Sequence, residues 1–237
     1  EVFNDDALLL AAIKKRLKRG TYFSPSGIRK ALRSYSGTQS VSNFRPTAAA
    51  AVYNRYCPSN ATVWDMSCGY GGRMLGAAVS GKVSKYIGTD PCSPTFEGLK
   101  KLAEEMCGSL NIELTKMGSE FFVPNHQSLD LCFTSPPYFD TEKYSDEPSQ
   151  SYKRFSNPEA WNEGFLRKTI QNCYSGLKKD GYLLLNVANV KTHPNLEKDT
   201  VILCLEEGFS YENTLFLTLS SISKGGYKYE PVFVFKK

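Results

Sequence analysis

The spacing of apolar positions changes near residue 61. Before it they recur at helical intervals. Leu8, Leu9, Ala12, Ile13 and Leu17 share one face of a helix over about Asp6–Arg19 that Gly20 ends, and a second helix is predicted over Ser26–Tyr35, behind Pro25. A polar loop, Ser36–Val41, leads through Phe44-Arg45-Pro46 into an alanine-rich helix, Thr47–Tyr56, whose start is marked by Pro46 and Thr47. From Ala61 onward short apolar runs alternate with amphipathic stretches. Strands are predicted at Thr62–Asp65, Tyr86–Thr89, Ile112–Met117, Leu129–Thr134 and, after a Lys179-Asp180-Gly181 turn, Tyr182–Val187. The intervening helices are Arg73–Val79, Ser93–Met106 and Asn157–Leu177, with a further one at Asn195–Glu207 before Gly208. Such alternation builds a parallel sheet covered on both faces. Tyr211–Leu219 and Pro231–Lys236, joined through Ser223-Lys224-Gly225-Gly226-Tyr227, read as a closing antiparallel hairpin.

Charge divides the chain at nearly the same place. Residues 1–56 hold ten Lys/Arg against three acids, a local +7 within a total of +5, so the remainder is −2. The cluster Lys14-Lys15-Arg16-Leu17-Lys18-Arg19, with Tyr22, Phe23 and Tyr35 interleaved among Arg29, Lys30 and Arg33, suits a phosphate polyanion as well as it suits a solvated helix face. The organisation expected is therefore a basic helical extension, 1–41, and one α/β domain, 42–237, since 237 residues leave little room for a second full domain. No run approaches about 18 apolar residues and no signal peptide is visible, so a cytoplasmic, nucleoid or nuclear protein is expected, neither secreted nor in a membrane. Seven cysteines without a C-x-x-C pair, and only His126 and His193, point to reduced core thiols and to no metal site. The chain opens on Glu1 rather than Met and is expected to be a trimmed form or one segment of something longer.

Two stretches carry the candidate chemistry. The strand Leu129–Thr134 is stopped by Ser135-Pro136-Pro137-Tyr138, where consecutive prolines fix φ and aim the carbonyls of Ser135 and Pro136, with an aromatic ring one step beyond. Acceptors in front and a stacking surface behind suit a planar group bearing an NH2, such as a nucleobase. The second stretch is the glycine turn Gly69-x-Gly71-Gly72 between the first strand and its helix, where backbone and free N–H groups can approach a nucleotide-like ligand. Met74 occupies the third glycine position of a dinucleotide fingerprint and no Gly-Lys-Ser/Thr follows, which disfavours NAD and ATP. Asp65 and Asp90 end successive strands around this turn, Asp90 standing 21 residues after Gly69, where a carboxylate can take both ribose hydroxyls.

Asp65-Met-Ser-Cys68-Gly69-Tyr-Gly71 resembles the S-adenosylmethionine loop, and Ser135-Pro-Pro-Tyr138 the catalytic tetrapeptide, of the DNA amino-methyltransferases that act on N4 of cytosine or N6 of adenine. The two stand in the family's order, and Glu230-Pro231-Val232-Phe233-Val234-Phe235 is similar to its last strand. The resemblance spans most of residues 42–237. It implies an α/β Rossmann-like methyltransferase domain, a mostly parallel seven-stranded sheet with an antiparallel C-terminal hairpin strand, preceded by helices. It further implies S-adenosyl-L-methionine as cofactor and DNA as partner; the basic N-terminal helices lie outside the resemblance, and their charge is what suggests contact with the phosphates, while the chemistry and the scarcity of His call for no metal. The cofactor residues implied are Phe44, Arg45, Asp65, Cys68, Gly69, Gly71, Asp90, Ser119 and Thr134; the catalytic ones are Ser135, Pro136, Pro137 and Tyr138. Three departures stand out: Met66-Ser67 replaces the usual Pro-Phe, Ser135 replaces Asp or Asn, and the 18-residue stretch Phe139–Ser156 leaves no room for a target-recognition domain.

The implied chemistry is transfer to an aromatic amine whose lone pair is delocalised into the ring. Hydrogen bonds from its N–H groups to Ser135 and the Pro136 carbonyl would draw the nitrogen toward tetrahedral geometry for in-line attack, with Tyr138 and Phe139 stacking on a base swung out of the duplex. Within the resembling family Ser at the position of Ser135 goes more often with cytosine, so the resemblance implies cytosine ahead of adenine. Methylation of RNA or of a protein glutamine amide, and a non-catalytic nucleic-acid-binding subunit of the same fold, remain open at this level.

Overall fold

The computed structural model describes residues 5–18, 20, 24–32, 43–141, 145–221 and 226–237, and the chain divides into two units, Glu1–Ser42 and Asn43–Lys237. In the first, α1 (Asp6–Lys18) packs on α2 (Pro25–Leu32) through Leu9, Ala12, Ile28, Ala31 and Leu32. Arg16 lies against α2, where a Cβ on Gly27 would stand 2.6 Å from its guanidinium, whereas Lys14, Lys18, Arg29 and Lys30 face solvent. The expected end of the second helix at Tyr35, the Ser36–Val41 loop, Arg19, Arg33, Tyr22, Phe23 and Ser223-Lys224-Gly225 lie outside the described residues.

The second unit is one seven-stranded sheet. Its strands are β1 (Ala61–Asp65), β2 (Val83–Thr89), β3 (Asn111–Thr115), β4 (Leu129–Thr134), β5 (Leu177–Asn186), β6 (Ser210–Ser221) and β7 (Tyr227–Lys236), in the order β3-β2-β1-β4-β5-β7-β6. All neighbours pair parallel except β7, which runs against both β5 and β6. The expected α/β architecture is therefore present, antiparallel hairpin included. Near-continuous apolar strands bury both faces. Val63, Leu131, Phe133, Leu184 and Val234 meet the helices α3 (Pro46–Tyr56) and α4 (Gly72–Ser80) on one side. On the other, Trp64, Cys132, Leu183, Leu185 and Phe235 meet α8 (Lys168–Gly176) and α9 (Leu196–Glu206). The remaining helices are α5 (Ser93–Met106), α6 (Ser151–Arg154) and α7 (Pro158–Trp161). All seven cysteines are buried and unpaired.

Three expectations need correction. The single helix Asn157–Leu177 is broken: α7 passes through a π-helical stretch, Asn162–Arg167, into α8, and Leu177 already belongs to β5. Its wider turn lets Asn162 reach both His193 and Asp199, each at 2.9 Å. Lys179-Asp180-Gly181 is a bulge within β5 rather than a turn before it, because Lys178 is drawn to Asp130 and Asp180 to Lys236, while Gly181 accepts from the Lys237 N–H. The 18-residue stretch Phe139–Ser156, expected as a loop, contains a short helix, α6. Among the described residues no helix is long and apolar enough to cross a membrane, and no group of three or more His, Cys, Asp or Glu is gathered to hold a metal.

Candidate active site

Strands β1, β2 and β4 end side by side, and their ends meet at one buried carboxylate. Asp65 Oδ1 accepts from Thr134 Oγ1 at 2.8 Å and from Ser67 N at 3.3 Å; Oδ2 accepts from Arg73 Nε at 2.8 Å and Tyr86 Oη at 2.6 Å. Both oxygens are fully engaged and Asp65 is 1% exposed. Burial alone would lower the Arg73 pKa, but the charge and hydrogen bond of Asp65 hold it above the ordinary arginine value. Arg73 also donates to the Ser67 carbonyl and Thr134 Oγ1, and its guanidinium lies 5.4 Å from the Phe44 ring centre. One residue thus ties the glycine loop to β4 and to the segment before α3.

The loop itself is shaped by glycine. Gly69 (φ 53°) and Gly71 (φ 78°) adopt left-handed backbone, and at Gly72 a Cβ would run into the Phe44 carbonyl. That close approach lets Asn43 Oδ1 accept from Gly72 N at 3.0 Å, so Asn43 caps α4 from a distant segment. Asp90, at the end of β2, accepts from Gly69 N and Cys92 N, each at 3.0 Å. Burial raises its pKa from 3.8 to about 6 against those two hydrogen bonds.

Beside Asp90 opens a cavity of about 530 Å³ lined by Pro91, Ser93, Lys116, Met117, Gly118, Phe121, Glu147, Pro148, Ser149 and Arg154, within the range of ordinary small-molecule sites. Its outer wall is the segment after the tetrapeptide. Glu147 accepts from Ser93 N at the start of α5 (3.0 Å), and the Ser93 side chain and backbone together lower its pKa; Ser149 donates to the Pro91 carbonyl (3.3 Å), and Arg154 sits 4.7 Å over Phe121. Against Gly118 lies the buried Glu120 carboxylate, neither oxygen hydrogen-bonded, with its pKa raised by desolvation. The lining mixes apolar groups (Pro91, Met117, Phe121, Pro148) with polar and charged ones (Ser93, Lys116, Glu147, Ser149, Arg154), and Asp90 precedes its first lining residue in the chain.

The tetrapeptide corner stands on the other side of the glycine loop. Ser135 and Tyr138 are half-buried, Ser135 Oγ donates to Tyr138 Oη at 3.4 Å, and Tyr138 Oη donates to the Asn186 carbonyl at 3.2 Å. Pro136 itself is buried, and among the described residues no hydrogen bond is donated to its carbonyl. Phe139 does not flank the corner as a second stacking ring. It is 6% exposed at φ 54° and packs edge-on against Trp161 and His193.

The sequence-predicted residues accordingly divide. Cys68, Gly69, Gly71, Asp65, Asp90, Thr134 and Phe44 surround one loop, with Ser135–Tyr138 beside it. Several point inward, however. Thr134 serves Asp65, Cys68 is a core thiol whose pKa burial pushes well up, and Ser119 Oγ pairs with Thr169 Oγ1 at 2.8 Å, leaving Gly118 and Phe121 on the cavity. Arg45 is exposed and reaches the Leu219 carbonyl of β6. Arg73, Tyr86, Glu147 and Asn186 were missed as site residues, whereas Asn43 belongs to the segment Asn43-Phe44-Arg45-Pro46 that the resemblance sets over the methionine end. Arg73 had a signal: a cation in the first turn of a helix opposes the macrodipole and calls for a specific anionic partner.

The comparisons with known proteins bear on this geometry. Residues 129–237, from β4 to the C-terminus, match the family model described as DNA methylase, in accord with the resemblance drawn from the motifs. No curated protein matches the sequence. Among solved structures, a SAM-dependent methyltransferase from Methanosarcina mazei superposes with a TM-score of 0.56 at 15% identity, over 78% of this chain and 96% of its own. A methyltransferase from Pyrococcus furiosus gives 0.54 at 15% identity, over 81% and 82%. The fibrillarin of Aeropyrum pernix, in complex with natively bound S-adenosyl-L-methionine, gives 0.51 at 12% identity, over 80% and 73%. The fold is the Rossmann-like methyltransferase fold.

Proposed function

We propose, from the premise that residues 129–237 match the DNA methylase family on a methyltransferase fold, that the chain methylates the exocyclic amine of a base in DNA using S-adenosyl-L-methionine, with N4 of cytosine favoured over N6 of adenine. The observation that carries this reading is the tie between the two loops. Thr134 Oγ1, one residue before the tetrapeptide, bonds both Asp65 and Ser67 N of the glycine turn, at 2.8 and 3.1 Å, so the ligand site and the amine site are held in one register.

S-adenosylmethionine, when bound, supplies an electrophilic methyl on a sulfonium. The chain binds and orients. Asp90 accepts the ribose hydroxyls, Pro91, Gly118 and Phe121 flank the adenine, and Phe44 with Arg45 covers the methionine end. Gly69 and Gly71 keep the backbone close. Asp65, Cys68 and Thr134 act as positioning residues within the protein rather than as ligands. At the corner, Ser135 Oγ and the Pro136 carbonyl accept the two amine N–H bonds, Pro137 fixes their direction and the Tyr138 ring stacks on an extruded base. The Tyr138 hydroxyl bond to Asn186 sets the angle of that ring. DNA phosphates are met by the exposed Lys14, Lys18, Arg29 and Lys30.

Tritiated methyl transfer to DNA, RNA and protein in parallel, followed by nucleoside analysis, tests the reading. Ser135→Ala is expected to lower turnover by about 10- to 1000-fold while leaving cofactor affinity near the parent value. Methyladenine as sole product overturns the base assignment, label confined to RNA or protein overturns the substrate class, and full activity in Ser135→Ala removes the tetrapeptide from the chemistry.

A further inference from the structure

The last two strands run on past the sheet that holds them. Pairing of β5 with β7 ends at Asn186 opposite Val232, yet β6 and β7 stay paired to Ser221 opposite Tyr227. Because β7 runs against β5, residues 227–231 extend beyond the edge where β4 ends in the tetrapeptide, by about 17 Å at ~3.3 Å per residue. Alternation puts Tyr227 and Tyr229 on the same face as Phe233 and Phe235, and that face is the one on which Tyr138 and Phe139 pack. Asn186 joins the two places, its carbonyl accepting from Tyr138 Oη and its Nδ2 donating to the Pro231 carbonyl at 2.9 Å.

This arm carries aromatic rings that the fold does not bury. Phe216, Tyr227 and Tyr229 are 68%, 56% and 51% exposed, and their rings adjoin, Phe216 to Tyr229 at 6.4 Å and Tyr227 to Tyr229 at 6.3 Å between centres. Large aromatics left in water as a contiguous group mark a binding surface rather than a packing one. On the same face the arm bears Thr218 and Pro231 and, among the described residues, no acid; the exposed Lys191 stands in the loop after β5.

We propose that the projecting β6/β7 hairpin is a stacking platform for unpaired nucleotides that flank the target base. The proposal rests on the reading of the Ser135–Tyr138 corner as a nucleobase site. It supplies a surface for a strand in a chain with only a short stretch after its tetrapeptide. Every base has a π-face, so the platform selects single-strandedness rather than sequence, and the exposed Lys191 of the loop after β5 is the cation offered to the strand's phosphates.

The test is anisotropy of labelled single-stranded oligothymidine and oligouridine with the full chain, beside calorimetry of S-adenosylmethionine binding. Phe216→Ala with Tyr229→Ala is expected to weaken oligonucleotide affinity about tenfold or more and to raise KM for a nucleic-acid substrate with kcat little changed, cofactor affinity being preserved. Phe216→Tyr with Tyr229→Phe retains the rings and should retain affinity, which separates stacking from folding. The oligothymidine and oligouridine arms distinguish DNA from RNA as the source of the strand. Unchanged affinity in the alanine pair overturns the platform while leaving the corner's role intact. Sedimentation showing a dimer that the alanine pair dissolves, with oligonucleotide affinity unchanged, assigns the rings to a second copy and likewise overturns it. Tight single-strand binding without methylation of any nucleic acid supports the platform and instead sinks the reading of the corner.

Discussion

Asp65 and Asp90 illustrate how two carboxylates at equivalent strand ends take opposite parts. Asp65 is consumed by Arg73, Tyr86 and Thr134, a buried pair whose disruption leaves an uncompensated charge. Arg73→Met should therefore destabilise the fold by about 3–5 kcal/mol in urea unfolding, and adding Asp65→Leu should recover part of that loss. A double variant no more stable than Arg73→Met would contradict it. Asp90 keeps its carboxylate near the cavity with a pKa raised by burial from 3.8 to about 6. The folded state thus holds a proton that the unfolded chain has released between those values. The stability it contributes is complete below 3.8 and is lost as pH rises through about 6. On the role proposed for Asp90, ligand binding has the opposite sign, since ribose hydroxyls donate best to the ionised form. Cofactor affinity should be flat above about pH 6 and fall below it, by up to about tenfold per unit, and Asp90→Asn should abolish that slope. Calorimetry across this range decides.

Between elements, the decisive joint is α4 against the segment before α3. It needs a residue without a side chain, because the Phe44 carbonyl occupies the space a Cβ would take at Gly72. Gly72→Ala should push Asn43 and Phe44 away from the α4 N-terminus, destabilising by about 1–3 kcal/mol as overpacking does. Its signature is weakened cofactor binding along with the stability loss; unchanged affinity in the folded variant would detach that segment from the ligand site. The π-helical stretch is a second element-level feature. Its residue Asn162 holds the ring of His193, which burial keeps below the usual histidine pKa and which packs against Phe139, directly after the tetrapeptide. The helix period around Trp161 contains no sign of it, since the widened turn answers partners on a different segment.

For the whole molecule, charge is divided between the two units. Among the described residues of the first unit, Lys14, Lys18, Arg29 and Lys30 are the exposed cations, while Arg16 lies against α2. Replacing these four by Gln should weaken DNA binding and flatten the slope of log affinity against log salt, by ~0.9 for each phosphate left unneutralised. An unchanged slope would reduce the helices to a solvated face.

The order of helices and strands, the parallel sheet with its reversed last strand, the glycine turn and the proline corner were legible in the chain alone. Their causes are local: periodicity sets which residues face a core, and glycine and proline fix backbone dihedrals without help from distant segments. What only the tertiary structure decided is the direction of the polar atoms. Asp65, Thr134 and Ser119 carry the expected chemistry, but their partners Arg73, Tyr86 and Thr169 lie 8, 21 and 50 residues away from the groups they bind. A buried polar group must be satisfied by whatever the fold brings within reach, so those three turned inward. Asp90 is likewise held partly from afar, by the Gly69 N–H 21 residues away, and its other bond, from Cys92 N, is local.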